Sequence, residues 1–363
     1  MTEIFNPHSS GNRLRVSEHY VPVKDEYANE KFDDVNAEVD RLARIGTAYY
    51  AQMEQDISRK RLSSIDLIDN PATRELTELL PSVGAWLRTI PTAAALHPLY
   101  EPDSKELPNG TLLDADIPDW FKNIADARGI RSRAVVMKDI LYKEAVDGED
   151  MQWLSLASGA AQPVFEIINE LRDEGVALPQ VTLADRDKNA LSLANSYAAQ
   201  HGLEQVIQTQ NLNILKRNGL SFEPGSGIAG LAASAIAKRM GKFEKGSFDA
   251  VDAVGIFEYL KRPDWKYTYD GVISTSKQLA GAETFLKNAF ELVKPGGILV
   301  IGNMLDTHPQ IEFTLNVIQW PHIQPRSVTE MIEIMKTVGI EGDVDIYRPD
   351  DGVYAIYGIR KPL

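Results

Sequence analysis

From Gly148 onward the sequence alternates short apolar runs with amphipathic stretches, and this alternation restricts the fold more than any other feature. The runs are Trp153 to Ala157, Val181 to Ala184, Val206 to Thr209, Phe248 to Val254 and Ile298 to Ile301. Between and after them, Pro163 to Glu174, Lys188 to His201, Gly281 to Val293 and Val328 to Val338 have helical character. Strands separated by helices predict a parallel sheet with right-handed crossovers. The chain closes differently. Val344 to Tyr347 and Val353 to Ile359 flank Pro349-Asp350-Asp351-Gly352, the signature of a β-hairpin with Asp-Gly at its turn. The last strand is therefore expected to run antiparallel.

The amino-terminal third reads as helical. Val35, Val39, Leu42, Gly46, Tyr49, Met53 and Ile57 recur at spacings of three and four, one face of a long helix. A second helix is expected from Pro71 to about Ile90, with Asn70 as its N-cap. Residues 91–118 read as a connecting loop, and a third helix is expected from about Asp119 to Tyr142, broken at Gly129. The resulting division is a loose arm (1–30), a helical cap or dimerisation region (31–128) and an α/β domain (129–363) carrying an insertion at 216–246.

Composition removes several classes of function. The 363 residues contain no cysteine, so disulfides, thiolate metal sites and cysteine nucleophiles are excluded, and no metal is expected. A net charge of −14 offers no bulk basic face for nucleic acid. The longest apolar run, Ile228 to Ala237, is about half of the ~20 residues that span a bilayer, and the opening residues lack a secretory signal. The expectation is a soluble cytoplasmic protein that acts on a small molecule, with no membrane partner and a homodimer formed, if at all, through the amino-terminal helices.

In an open parallel sheet, ligands bind at the carboxyl ends of the strands. After the first strand comes Ala157-Ser158-Gly159-Ala160-Ala161, small residues that let the backbone approach a ligand at a helix N-terminus. After the second comes Asp185, placed to accept ribose hydroxyls. Together they suggest a nucleoside-containing cofactor without separating a dinucleotide from S-adenosylmethionine. The later segments separate them. Phe248-Asp-Ala-Val-Asp-Ala-Val-Gly-Ile-Phe-Glu-Tyr-Leu260 and Leu292-Val-Lys-Pro-Gly-Gly-Ile-Leu-Val-Ile301 resemble class I S-adenosylmethionine-dependent methyltransferases, as does the closing hairpin. A further set, Gly129-Ile-Arg-Ser-Arg133, Gly302-Asn303, Trp320 and Arg326-Ser327, is similar to bacterial methyltransferases grouped near those that make methyl esters of hydroxy fatty acids.

The resemblance implies a Rossmann-like seven-stranded sheet with a terminal antiparallel hairpin, and S-adenosyl-L-methionine as cofactor. It assigns Gly159 to the methionine part of the cofactor, Asp185 to the ribose, Asn211 or Asn213 to the adenine edge, and Ala253 with Val254 to the cofactor's flank. The sequence departs from the family at the end of strand one, where Ser155 holds the place of an acid and Ala157 and Ala161 hold those of the outer glycines. Arg131 and Arg133 are candidates for the carboxylate of the cofactor or of an acidic substrate.

Methyl transfer needs a base only when the acceptor must lose a proton. His308 is the first candidate, then Glu258 and His322. Trp265, Tyr267 and Tyr269 are candidates for an acceptor pocket, together with Asn303. The function expected is methyl transfer to a small molecule, at a hydroxyl or carboxylate oxygen. The alternatives are a nicotinamide-dependent oxidoreductase, for which one retained glycine is a poor fingerprint, and a non-catalytic binding protein built on the same fold.

Overall fold

The alternation after Gly148 folds as its spacing predicts. The structure is a computed structural model that describes residues 14–27, 29–58, 70–148, 150–215, 219–223, 231, 234–237, 241–262, 265–269, 272–320 and 323–363, excepting the side chains of 56–58, 265–269 and 272–278. Eight strands make one sheet: β1 (Leu14–Val21), β2 (Gln152–Leu156), β3 (Gln180–Asp185), β4 (Ile207–Asn211), β5 (Phe248–Ala253), β6 (Val293–Met304), β7 (Gly342–Pro349) and β8 (Tyr354–Arg360). Their order across the sheet is β1-β7-β8-β6-β5-β2-β3-β4. The five strands β2 to β6 are mutually parallel, and β8 runs antiparallel to both β6 and β7. The order reverses between β2 and β5, which makes their carboxyl ends the crevice where a ligand binds.

The helices are α1 (Phe32–Ser58), α2 (Pro71–Leu79), α3 (Val83–Leu87), α4 (Ala93–Tyr100), α5 (Ile117–Asn123), α6 (Ala125–Asp147), α7 (Gln162–Asp173), α8 (Lys188–Gln200), α9 (Ala282–Leu292), α10 (Ile311–Asn316) and α11 (Val328–Thr337). Successive side chains of a strand face opposite sides, and the core divides accordingly. Trp153, Ala250 and Val300 face a cluster shared with α6, α7, α8 and the amino-terminal helices. Leu154, Val251 and Leu299 face the opposite cluster, closed by α9 and α11. The cap thus shares one continuous core with the sheet.

Four expectations need correction. Residues 14–21, read as part of a loose arm, form an edge strand parallel to β7, from Leu14 opposite Gly342 to Val21 opposite Pro349. The second helix stops at Leu79 and resumes at Val83, because Pro81 interrupts it, although Asn70 does cap it by accepting the Ala72 and Thr73 amides. The segment read as a loop contains α4, with Pro98 inside it. Helices α5 and α6 are separated at Ile124, not at Gly129; Gly129 lies inside α6, where an added Cβ would come within 2.4 Å of the Val353 side chain.

Within the insertion at 216–246, Ser221–Phe222 pairs with Phe243–Glu244. Trp265–Tyr269 and Val272–Leu279 form a separate antiparallel pair.

Candidate active site

A cavity of about 330 Å³ lies at the carboxyl ends of β2, β3 and β5. That is within the roughly 300–1,000 Å³ usual for ligand pockets. The turn from Ala157 to Ala161 forms one wall. Asp185 to Asp187 form the second, Val254 to Ile256 the third, and Ala93, Leu96, His97 and Tyr100 of α4 close it from the cap.

The turn is tightly determined. Ala157, Gly159 and Ala161 all have positive φ, at 54°, 55° and 60°. Two alanines are thus held in the left-handed region, at a cost of roughly 1–2 kcal/mol each. Hydrogen bonds hold them there. The Ala161 amide donates to the Ser158 carbonyl at 2.8 Å, and the Gly159 amide donates to Asp185 Oδ2 at 2.8 Å. A Cβ on Gly159 would lie 3.1 Å from the Ala93 Cβ, so glycine at this position lets α4 close on the turn. Ser158 Oγ is buried with no hydrogen-bond partner among the described residues. It lies in the cavity wall, as a group that awaits a ligand would.

Asp185 sits in that wall, with Oδ1 accepting the Asp187 amide at 2.8 Å. A carboxylate has about four acceptor positions, so two remain for ligand hydroxyls. Asn213 lines the cavity and Asn211 does not; Asn211 instead donates to the carbonyls of Asp185 and Arg186, bracing the second wall from behind. Ala253 is fully buried below the cavity, while Val254 and Gly255 line it. Gly302 permits this arrangement, since a Cβ there would come within 2.8 Å of the Val254 carbonyl oxygen.

Ser155 and Ala157 both line the cavity. Ser155 Oγ donates at 3.0 Å to Asp252 Oδ1, and Trp153 Nε1 donates at 2.6 Å to Oδ2 of the same carboxylate. Asp252 also lines the cavity, is 3% exposed, and was not singled out in the sequence. Burial pushes its carboxyl up to about 7, against the two hydrogen bonds, which lower it. The signal was visible as an acid inside the apolar run Phe248 to Val254, opposite Ser155 in register.

Arg133 reaches the cavity from α6 and is held by Glu258 at 3.1 Å and by the face of Tyr354, 4.7 Å from its ring centroid. Arg131 does not reach it: its guanidinium binds both Asp25 oxygens and the carbonyls of Leu99, Phe121 and Lys122, tying the cap together.

Two of the three candidate bases, Glu258 and His308, lie outside the cavity. Glu258 is buried behind Arg133, its carboxyl raised by burial against the lowering effect of that arginine, and its Oε2 has no hydrogen-bond partner among the described residues. It orients Arg133 rather than facing the cavity. His308 is 3% exposed, with Nδ1 accepting the Gln310 amide at 2.9 Å and Nε2 3.4 Å from Asp126. It braces the junction of α6 and the loop before α10. Asn303 is buried too, accepting from Arg326 at 2.9 Å. Trp265, Tyr267 and Tyr269 lie on a described strand, but their side chains fall outside the described residues, as does His322. Among the described residues, the histidine that does line the cavity is His97, from α4. Sequence reasoning missed it because its segment read as loop. Trp320 and Tyr259 line the cavity as a pair, the indole donating to the phenol oxygen at 2.6 Å.

Among the described residues no cluster of side chains suits a metal ion, and no helix is long and apolar enough to cross a membrane. No protein-family model and no curated protein matches the sequence. Solved structures do match the fold. A possible exported protein from Bordetella parapertussis aligns over 91% of this chain and 97% of its own, with 15% identity and a TM-score of 0.56. The CMeT domain of the citrinin polyketide synthase aligns over 93% and 92%, with 12% identity and a TM-score of 0.47. An O-methyltransferase family protein from Burkholderia thailandensis aligns over 78% and 68%, with 16% identity and a TM-score of 0.42. With its β2-to-β6 parallel core, its reversal between β2 and β5 and its antiparallel β8, the chain has the Rossmann-like fold of the class I S-adenosylmethionine-dependent methyltransferases.

Proposed function

We propose that this chain transfers a methyl group from S-adenosylmethionine to an oxygen of a small molecule, a hydroxyl or a carboxylate. The observation that carries the reading is the hydrogen bond joining the Gly159 amide to Asp185 at the carboxyl end of the sheet, in a cavity closed by α4. That bond sets a close-approach turn beside a carboxylate with acceptor positions to spare, a combination that suits a nucleoside. The cofactor, when bound, supplies a methyl group already activated on sulfonium sulfur.

The remaining work belongs to the chain. Gly159, Ser158 and Asp185 hold the nucleoside. The cap excludes water through Leu96 and Tyr100, while Met137 and Ile256 give the cavity an apolar lining for the acceptor. For a hydroxyl acceptor, His97 is the histidine placed to take the proton. For a carboxylate no base is required, and Arg133 supplies the positive charge that orients it.

The test is incubation of the protein with methyl-labelled S-adenosylmethionine and a metabolite extract, followed by mass analysis of labelled products. Labelled esters or ethers support the reading. Label found only on nitrogen or carbon, or none in any small molecule, contradicts it. A His97→Ala variant distinguishes the acceptors: kcat falls by about 10²–10⁴-fold for a hydroxyl and stays unchanged for a carboxylate.

A further inference from the structure

Asp252 carries a buried carboxylate in the cavity wall, and the described structure pairs no cation with it. Its hydrogen-bond donors are the neutral indole of Trp153 and the neutral hydroxyl of Ser155. Arg133, a cation of the same cavity, is drawn to Glu258, 3.1 Å away on the far side of the wall. The acid is therefore oriented by two donors, desolvated by its surroundings, and left with acceptor positions toward the cavity. Burying a carboxylate is costly unless it is paired. A structure that fixes both oxygens while leaving the charge uncompensated is prepared for a cationic ligand group. Asp252 lies beside Ser155 at the end of β2, next to the turn that Ala157 opens, so such a group would sit beneath that turn.

We infer that Asp252 is the counter-charge for the cationic methionyl end of the nucleoside, gripping its ammonium or its sulfonium from below the turn. The inference rests on the reading given under Proposed function, and it adds charge selectivity: the cavity distinguishes nucleosides that carry this positive charge from neutral ones of the same shape.

The test is titration calorimetry of wild type and Asp252→Asn with three probes. S-adenosylmethionine carries both positive groups, S-adenosylhomocysteine keeps only the ammonium, and methylthioadenosine has neither. The Asn variant is expected to lose about ten- to a hundredfold in affinity for S-adenosylmethionine while binding methylthioadenosine as wild type does. The unchanged methylthioadenosine affinity also shows that the variant is folded. A parallel loss for S-adenosylhomocysteine assigns the contact to the ammonium; unchanged binding of it assigns the contact to the sulfonium. Equal losses for all three probes, or no loss for any, overturn the inference while leaving the cofactor assignment standing. Failure of wild type to bind any of the three overturns that assignment, and the inference with it.

A second variant guards against misfolding of the first. Ser155→Asp combined with Asp252→Ser moves the carboxylate one strand across and preserves a Ser–Asp pair. It is expected to keep the wild-type preference for S-adenosylmethionine over methylthioadenosine. Loss of that preference in the folded double variant contradicts the role assigned to the charge.

Discussion

A carboxyl raised by burial makes the protein less stable once it ionises, and Asp252 allows that effect to be measured. Its carboxyl titrates near 7 in the folded chain because burial disfavours the charge more than Trp153 and Ser155 favour it. In the unfolded chain an aspartate titrates near 4. Between roughly pH 4 and 7 the folded state keeps a proton that the unfolded state has lost, so this group's contribution to stability falls as pH rises through that window. Asp252→Asn removes the titration. Denaturant unfolding of both proteins from pH 4.5 to 8 is expected to show wild type losing ground to the variant by on the order of a few kcal/mol, with the difference levelling above pH 7. A constant difference across the range contradicts the assignment. His308 gives a second residue-scale outcome. As a brace against Gln310 and Asp126, His308→Ala is expected to cost about 1–3 kcal/mol of stability and leave kcat unchanged. Asp185→Ala releases both the Gly159 and Asp187 amides, so it is expected to lower cofactor affinity at least about tenfold and stability by about 1–3 kcal/mol. The sequence made Gly159 and Asp185 legible because their neighbours set the strand ends. It hid Asp252, since an acid within an apolar strand looks like core until the opposite strand places Ser155 against it. It also promoted His308, since distance along the chain from strand five says nothing about which way a side chain is packed.

At the scale of elements, strands β2, β3, β5, β6 and β8 were legible because each carries a dense apolar run with buried residues on both faces. The edge strand β1 was not. Only one of its neighbours is a strand, and its residues alternate weakly between half-buried and exposed, so no two-residue period marks it. Helix α4 was hidden by the prolines around it, and with it His97 and the wall that closes the cavity. Gly129 shows how one residue positions an element. It lets α6 lie against Val353, where any Cβ would overlap the valine side chain. Gly129→Ala is expected to destabilise by about 1–3 kcal/mol through overpacking, despite the better helix propensity of alanine. Thermal unfolding checks this, and an unchanged or raised Tm would mean that the two elements separate at little cost.

At the scale of the whole molecule, the cap is part of the same core as the sheet. Trp86, Phe121 and Trp320 pack together, and their cluster continues through α6 to Trp153 and Val300. Removing residues 1–125 would expose much of that cluster, so the shortened chain is expected to lose cooperative unfolding rather than persist as a free nucleoside-binding domain. The cavity is accordingly a product of two regions, with the turn and Asp185 from the sheet and His97 and Tyr100 from the cap. The central claim is that this cavity holds the nucleoside of S-adenosylmethionine. Titration calorimetry of the intact chain with S-adenosylhomocysteine and, separately, with NAD tests it most directly. The account predicts one site for S-adenosylhomocysteine, weakened at least about tenfold by Asp185→Ala, and no heat of binding with NAD. Binding of NAD, or S-adenosylhomocysteine affinity that is indifferent to Asp185, would contradict it.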